Sequence, residues 1–169
     1  MDQRLYRGII ESLLYVAASR PDIQYNVCVC ARFQVNQKEL HLKVVKRILR
    51  YVKGSEELCL FYPRLCPFNL VGYTDVDYAQ CTIDRKSTSG TTQFLGPCLV
   101  SWASKKQHTV ALSTAEAEYV AAALCCAQLL WLRQYVSDNR LSYSNVPIMC
   151  DNTSAIKVKT PYSMLELSI

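Results

Sequence analysis

The sequence lacks the features that mark membrane and secreted proteins. No apolar run reaches the roughly eighteen uninterrupted residues that predict a membrane-spanning helix. The first twenty residues mix charged side chains such as Arg4 and Glu11 with apolar ones, which is not the layout of a signal peptide. Internal repeats and low-complexity segments are also absent. We therefore expect a folded intracellular protein, in the cytoplasm or nucleus, with no membrane contact.

Histidine is scarce and cysteine has no recognisable spacing. The chain has two histidines and nine cysteines. The close pairs Cys28/Cys30 and Cys125/Cys126 fit neither a C-x-x-C redox pair nor the usual zinc spacing, and both histidines lie far from them. We expect reduced, mostly buried thiols in a reducing compartment and no zinc site.

The length and charge distribution suggest two parts. With 169 residues, half of them apolar, the chain can bury a core as one domain with an appendage. All of its +5 net charge belongs to the residues before Leu70, and the remainder is neutral. A polyanion held by the basic part and processed by the neutral part would explain this division, and an ordinary basic surface would explain it equally well.

The first part, residues 1–56, has helical patterns. The stretch from Arg7 to about Phe33 is broken at Ser19–Asp22, where Ser19 suits a helix cap and Pro21 a first helical turn. A further helix is predicted from about Gln37 to Lys53, before Gly54 as its C-cap. Its apolar stripe consists of Leu40, Val44, Val45, Ile48 and Val52.

Five cations fill the opposite face of that helix. They are Lys43, Lys46, Arg47, Arg50 and Lys53. A row of this kind can contact a phosphate backbone, with an affinity that salt weakens. It can also be a solvated face, and spacing alone does not choose between the two.

Residues 57–169 have an α/β pattern. Strands are predicted at Leu58–Tyr62, Leu70–Tyr78, Gly90–Leu95, Leu99–Ser104 and Val146–Cys150. Gly96–Pro97 favours a hairpin, a long helix should run from Ser113 to about Val136, and another should begin near Asn152. This order predicts a mixed sheet with flanking helices.

Two strand ends and one helix carry acidic residues. Asp75 and Asp77 lie two apart on a strand, so they should share a face. We predict Asp75 as a metal ligand and Asp77 as a turn or supporting residue. Asp151 ends a buried strand before a helix, where it could be a helix cap or a ligand. Together these positions can hold divalent cations for phosphodiester chemistry.

The two glutamates of the long helix have different neighbours. Ser113 and Glu116 form an S-x-x-E capping box, which gives Glu116 a structural role. Glu118 shares a stripe with residues such as Ala121, Cys125 and Leu129. A carboxylate on an apolar face is costly unless a cation or donors compensate it, so Glu118 is the predicted ligand.

The chain resembles the end of the reverse transcriptase and the ribonuclease H domain of copia-type retrotransposon Pol polyproteins. The motifs in the second part are Gly72–Ala79, Asp84–Gly90, Ser101–Gln107, Ala111–Tyr119 and Cys150–Asn152. Those in the first part are Ser12–Tyr15, Ser19–Asp22 and Lys46–Gly54, so the resemblance runs in order from about Tyr6 to Ile156.

The resemblance implies residues 1–56 as a helical reverse-transcriptase connection segment and 57–169 as a ribonuclease H-like domain. It implies hydrolysis of RNA in RNA–DNA hybrids by two Mg²⁺ ions, with Asp75, Glu118 and Asp151 as catalytic and metal-binding residues. Lys43, Lys46, Arg47, Arg50 and Lys53 would track the hybrid's backbone. Other parts of a Pol polyprotein would be possible partners.

The residues after Ile156 depart from the family pattern. The resemblance implies that the last strand, the last helix and a fourth carboxylate are missing, and Glu166 does not fit the fourth position. We expect a weakened second metal site and impaired activity. The alternative is an inactive retroelement remnant that at most binds nucleic acid. Magnesium-dependent cleavage of a hybrid separates the two.

Overall fold

The computed structural model describes residues 2–65, 69–139, 145–153 and 155, together with the backbone of 166–168. The chain divides into two compact units, Met1–Phe61 and Tyr62–Ile169.

The first unit consists of three helices. They are α1 (Gln3–Ala17), α2 (Pro21–Ala31) and α3 (Glu39–Lys53). Asp2 caps α1 by accepting a hydrogen bond of 2.9 Å from the Arg4 amide. The core includes Tyr6, Ile10, Leu13, Val27, Val45 and Ile48.

Two details of the predicted helices were wrong. The N-cap residue of α2 is Arg20 and not Ser19, whose hydroxyl donates back to the Val16 carbonyl. On α3, Val45 and Ile48 are buried, whereas Leu40 is 66% and Val44 36% exposed, because the stripe is wider than the surface it packs against.

Arg20 connects the start of α2 to the segment after α3. Its guanidinium donates to both carboxylate oxygens of Asp22, at 3.0 and 2.7 Å. It also donates to the carbonyl and hydroxyl oxygens of Ser55, at 3.0 and 2.7 Å. The hydrogen bond from Arg20 lowers the pKa of Asp22. Arg20 therefore has a structural role in this unit.

The second unit is a mixed sheet with one long helix. Its elements are β1 (Leu70–Asp77), β2 (Thr88–Leu95), β3 (Cys98–Lys106), α4 (Thr114–Asp138), β4 (Asn145–Cys150) and β5 (Glu166–Ser168). The strand order is β3-β2-β1-β4-β5. β1 pairs parallel with β4, and the other pairs are antiparallel. This confirms the predicted α/β, ribonuclease H-like mixed sheet.

Parts of the strand prediction differ from the structure. Residues 58–62 form no strand. The short strand β5 was not predicted; the resemblance had implied that a strand was missing after β4. The side chain of Glu166 lies outside the described residues. The helix predicted near Asn152 is described only at Thr153 and Ala155, which are both helical.

Helix α4 packs closely on the sheet. The core includes Cys125, Leu129 and Leu132 from the helix and Leu70, Val146 and Ile148 from the strands. Gly72 lets the helix approach, since a Cβ atom there would lie 2.6 Å from Leu129 Cδ1. By length and composition α4 could also cross a membrane. Its packing on the sheet is instead that of a core helix.

Candidate metal centre

The pairing of β1 with β4 brings two acidic residues to one edge of the sheet. The parallel register ends with Thr74 opposite Cys150. The next residue along each strand direction is an aspartate, Asp75 in β1 and Asp151 just after β4. Because the carboxyl ends of parallel strands meet at the same edge, both aspartates lie beside the start of a shared crevice.

Alternation along β1 separates its core and solvent faces. Gly72 and Thr74 are buried, whereas Tyr73 and Asp75 are exposed. One Asp75 oxygen accepts a hydrogen bond of 2.8 Å from the Val76 amide. Asp77 is the last residue of the strand, is half-buried and is not among the residues that line the pocket containing Asp75.

The start of α4 separates its two glutamates as predicted. The Ser113 hydroxyl accepts from the Glu116 amide at 3.1 Å, which confirms Ser113 as the cap. The Glu116 carboxylate accepts from the Leu112 amide at 2.7 Å, one residue earlier than the expected Ser113 amide. Glu116 therefore stabilises the helix end. Glu118 is 6% exposed and lies on the buried stripe with Ala121 and Cys125.

Asn152 takes the capping role that was one alternative for Asp151. The Asn152 side-chain oxygen accepts a hydrogen bond of 3.1 Å from the Ala155 amide, three residues on, as an N-cap does. Asp151 itself is exposed. Its carboxylate is therefore not needed to cap the following helix and faces the pocket.

Asp75, Glu118 and Asp151 line one pocket of about 250 Å³. The other residues that line it are Val76, Tyr78, Thr114 and Asn152. Three different elements thus contribute the three predicted carboxylates. No other carboxylate lines this pocket among the described residues.

The electrostatics of the pocket favour a cation. The pKa of Glu118 is raised, first by burial and then by the negative charges of Asp151 and Asp75. A hydrogen bond from Cys150 partly offsets this effect. A divalent cation would offset two of the three negative charges that these carboxylates carry when ionised, and oxygen ligands of this kind suit Mg²⁺. The residues present therefore fit a magnesium site.

Cys150 is a site residue that the sequence prediction missed. Its thiol donates to a Glu118 carboxylate oxygen with an S···O distance of 3.7 Å. Burial and the neighbouring charges of Glu118 and Asp151 raise its pKa. Cysteine spacing carried no signal for this position. Alternation along β4 did carry a signal: Val146 and Ile148 face the helix, and Cys150, two residues after Ile148, should lie on the same face of the strand.

The five predicted nucleic-acid-binding cations lie in the first unit, on α3. All of them are exposed. Lys43 also forms an ion pair of 3.1 Å with Glu39, one turn earlier. The five cations therefore form an exposed basic face, in which Lys43 is ion-paired with Glu39.

The fold and the acidic pocket place the chain in a class, the α/β proteins that have a ribonuclease H-like mixed sheet with carboxylates at its strand ends. No family model and no solved structure matches the chain.

Curated relatives identify the family. The chain is 39% identical over 152 residues to the retrovirus-related Pol polyprotein from transposon TNT 1-94 of Nicotiana tabacum, covering 89% of this chain and 11% of that protein. It is 37% identical over 155 residues to the Pol polyprotein from transposon RE1 of Arabidopsis thaliana, covering 91% and 11%. A third relative, secreted RxLR effector protein 161 of Plasmopara viticola, is 37% identical over 128 residues, covering 75% of this chain and 90% of that protein.

The chain therefore belongs to the family of retrovirus-related Pol polyproteins of copia-type transposons. It spans about a tenth of the length of the Pol polyproteins it matches, 11% in each case. It corresponds to one segment of each of those polyproteins.

Proposed function

We propose that the second unit is a ribonuclease H-like module that hydrolyses the RNA strand of RNA–DNA hybrids with bound magnesium. One observation carries the proposal: Asp75, Glu118 and Asp151, from three separate elements, line the same pocket. Membership in a retrotransposon Pol family supports the choice of substrate, because copying RNA into DNA produces hybrids.

Asp75, Glu118 and Asp151 would hold the metal. Bound there, magnesium would supply Lewis-acid activation of a water molecule and of a phosphate oxygen. Glu118, which is buried, would bind the metal from the floor of the pocket. The exposed Asp75 and Asp151 would bind it from the side that faces solvent and substrate. With three carboxylates among the described lining residues, a second ion would have fewer protein ligands. We therefore propose an activity lower than that of a four-carboxylate site.

The first turn of α4 would help to place the substrate phosphate. Thr114, the first residue of the helix, lines the pocket. The first amides of a helix have no partners within it and carry partial positive charge, so they favour a phosphate group. Thr114 would thus orient a phosphodiester beside the carboxylates.

The test is cleavage of a labelled RNA–DNA hybrid by the whole chain, with magnesium or with a chelator. We expect slow cleavage that needs magnesium and is lost in Asp75→Asn. Asp77→Asn is the matched control, because Asp77 belongs to the same strand but does not line the pocket. Equal cleavage by wild type and Asp75→Asn would contradict the proposal.

A second candidate function is nucleic-acid binding without catalysis, favoured by the five exposed cations of α3. The same preparations distinguish it. Binding of the hybrid in chelator, unchanged by Asp75→Asn and weakened by added salt, with no cleavage in magnesium, would favour this function over hydrolysis.

A further inference from the structure

Cys150 lies among the carboxylates, at a place where the proposed magnesium chemistry gives a thiol no role. Single ligand atoms of Glu118, Cys150 and Asp151 all lie within 4.8 Å of one another. They come from helix α4 and from the end of β4. Among the described residues, the Cys150 thiol is the hydrogen-bond partner of the buried Glu118 carboxylate, and no arginine or lysine pairs with it.

One sulfur and two carboxylate oxygens are not a ligand set for magnesium. Mg²⁺ is a hard ion that binds oxygen and keeps several waters. Thiolate sulfur selects softer ions, and Zn²⁺ accepts sulfur together with carboxylate oxygen. Zinc sites with three protein ligands keep one position open for water, which a pocket open to solvent allows.

We propose that Glu118, Cys150 and Asp151 bind a thiophilic divalent cation of the zinc class, which excludes magnesium from the pocket. On binding, the S–H bond of Cys150 is replaced by a sulfur–metal bond and its proton passes to water, with no change of oxidation state. Two of the three ligands are also proposed magnesium ligands, so the two kinds of ion compete. Binding itself does not depend on the proposed hydrolysis, and only the competition rests on it.

Cadmium provides a direct probe, because its bond to thiolate produces an ultraviolet charge-transfer band. The reduced, metal-free chain is titrated with Cd²⁺, and the band is recorded for wild type, Cys150→Ser and Cys126→Ser. Cys126 is the matched control: it is also half-buried in the second unit but lies outside the ligand group.

We expect Cys150→Ser to bind Cd²⁺ at this site at least about 10–100-fold more weakly, so that one equivalent of bound Cd²⁺ is lost from the titration. Replacing residues that only support a metal ligand already weakens metal binding by this factor. Cys126→Ser should titrate like wild type. Asp151→Asn, at an exposed position, should also bind more weakly. Identical titrations of wild type, Cys150→Ser and Asp151→Asn would overturn the proposal and assign the cadmium to other thiols.

The outcome is separable from that of the proposed function. Cadmium binding that depends on Cys150 in a chain without cleavage would uphold this site and overturn the hydrolysis. In a chain that cleaves, Zn²⁺ should inhibit wild type at concentrations at least about tenfold lower than it inhibits Cys150→Ser, and excess Mg²⁺ should relieve the inhibition. Cleavage with equal zinc sensitivity in both would overturn the competition.

Discussion

Replacing Gly72 by alanine tests how closely α4 packs on β1. The new Cβ atom would lie 2.6 Å from Leu129 Cδ1 and 2.7 Å from Cys125 Sγ. Carbon atoms normally pack at about 3.5–4.0 Å, so the helix or both side chains must move by roughly 1 Å. Leu129 is 3% and Cys125 0% exposed, so neither can turn into solvent. Overpacking costs about 1–3 kcal/mol, and two buried clashes place the expected loss of unfolding free energy at about 2–3 kcal/mol.

The assay is urea unfolding followed by tryptophan fluorescence. Both tryptophans, Trp102 and Trp131, belong to the second unit, so the signal reports that unit alone. Gly8→Ala is the control: a Cβ at Gly8 meets nothing within 4 Å, and Gly8 lies in the first unit. It should leave the tryptophan transition unchanged.

A double variant separates the clash from other effects of alanine. Leu129→Ala alone should cost about 2–5 kcal/mol by leaving a cavity. Gly72→Ala should cost less in that background, because the methyl group then has space, with a coupling of about 0.5–3 kcal/mol. A loss below about 0.5 kcal/mol for Gly72→Ala alone, or costs that simply add, would refute the packing argument.

The two glutamates and the Arg20–Asp22 pair give further predictions. Glu116→Gln should cost about 0.3–1 kcal/mol of stability and leave cleavage unchanged. Glu118→Gln should keep or raise stability in chelator, because it removes a buried charge, and should reduce cleavage by at least about 10–100-fold. The reverse ranking of the two variants in urea unfolding and cleavage assays would contradict the assignment. Because the pKa of Asp22 is lowered in the folded state, the Arg20–Asp22 pair stabilises the first unit fully at pH values above the ordinary carboxyl pKa of about 3.9. This stability is lost as the pH falls through the lower pKa of the folded state. Amide hydrogen exchange in α1–α3 should therefore accelerate with acid beyond its intrinsic pH dependence, and Asp22→Asn should flatten that effect; an unchanged profile would remove the pair from the stability of this unit.

Features set by neighbouring residues could be predicted from the sequence. The cap at Ser113, the position of Glu116 at the helix end and the position of Glu118 on the buried stripe follow from spacings within α4. The strand carrying Asp75 followed from alternation and from the turn residues around it. The assignment of Asp75, Glu118 and Asp151 as ligands stays a prediction, although the structure brings the three to one pocket.

Features set by distant contacts could not be predicted. Arg20 rather than Ser19 is the N-cap residue of α2, and its guanidinium donates to the carbonyl of Ser55, 35 residues later. Leu40 fits the apolar stripe of α3 by period, but the unit presents no surface to cover it. Alternation along β4 predicts which face Cys150 occupies, but its place in the site also depends on the register of β4 with β1, which no local pattern encodes.

The parallel pairing of β1 with β4 also determines when the acidic pocket can exist during folding. Strands β1, β2 and β3 are consecutive in the chain and pair through short connections. β4 must cross the whole of α4 before it reaches β1, and such non-local pairing is slow. Asp151 and Cys150 therefore join Asp75 only when β4 pairs with β1. A metal bound in this pocket would report that pairing and would stabilise the paired state.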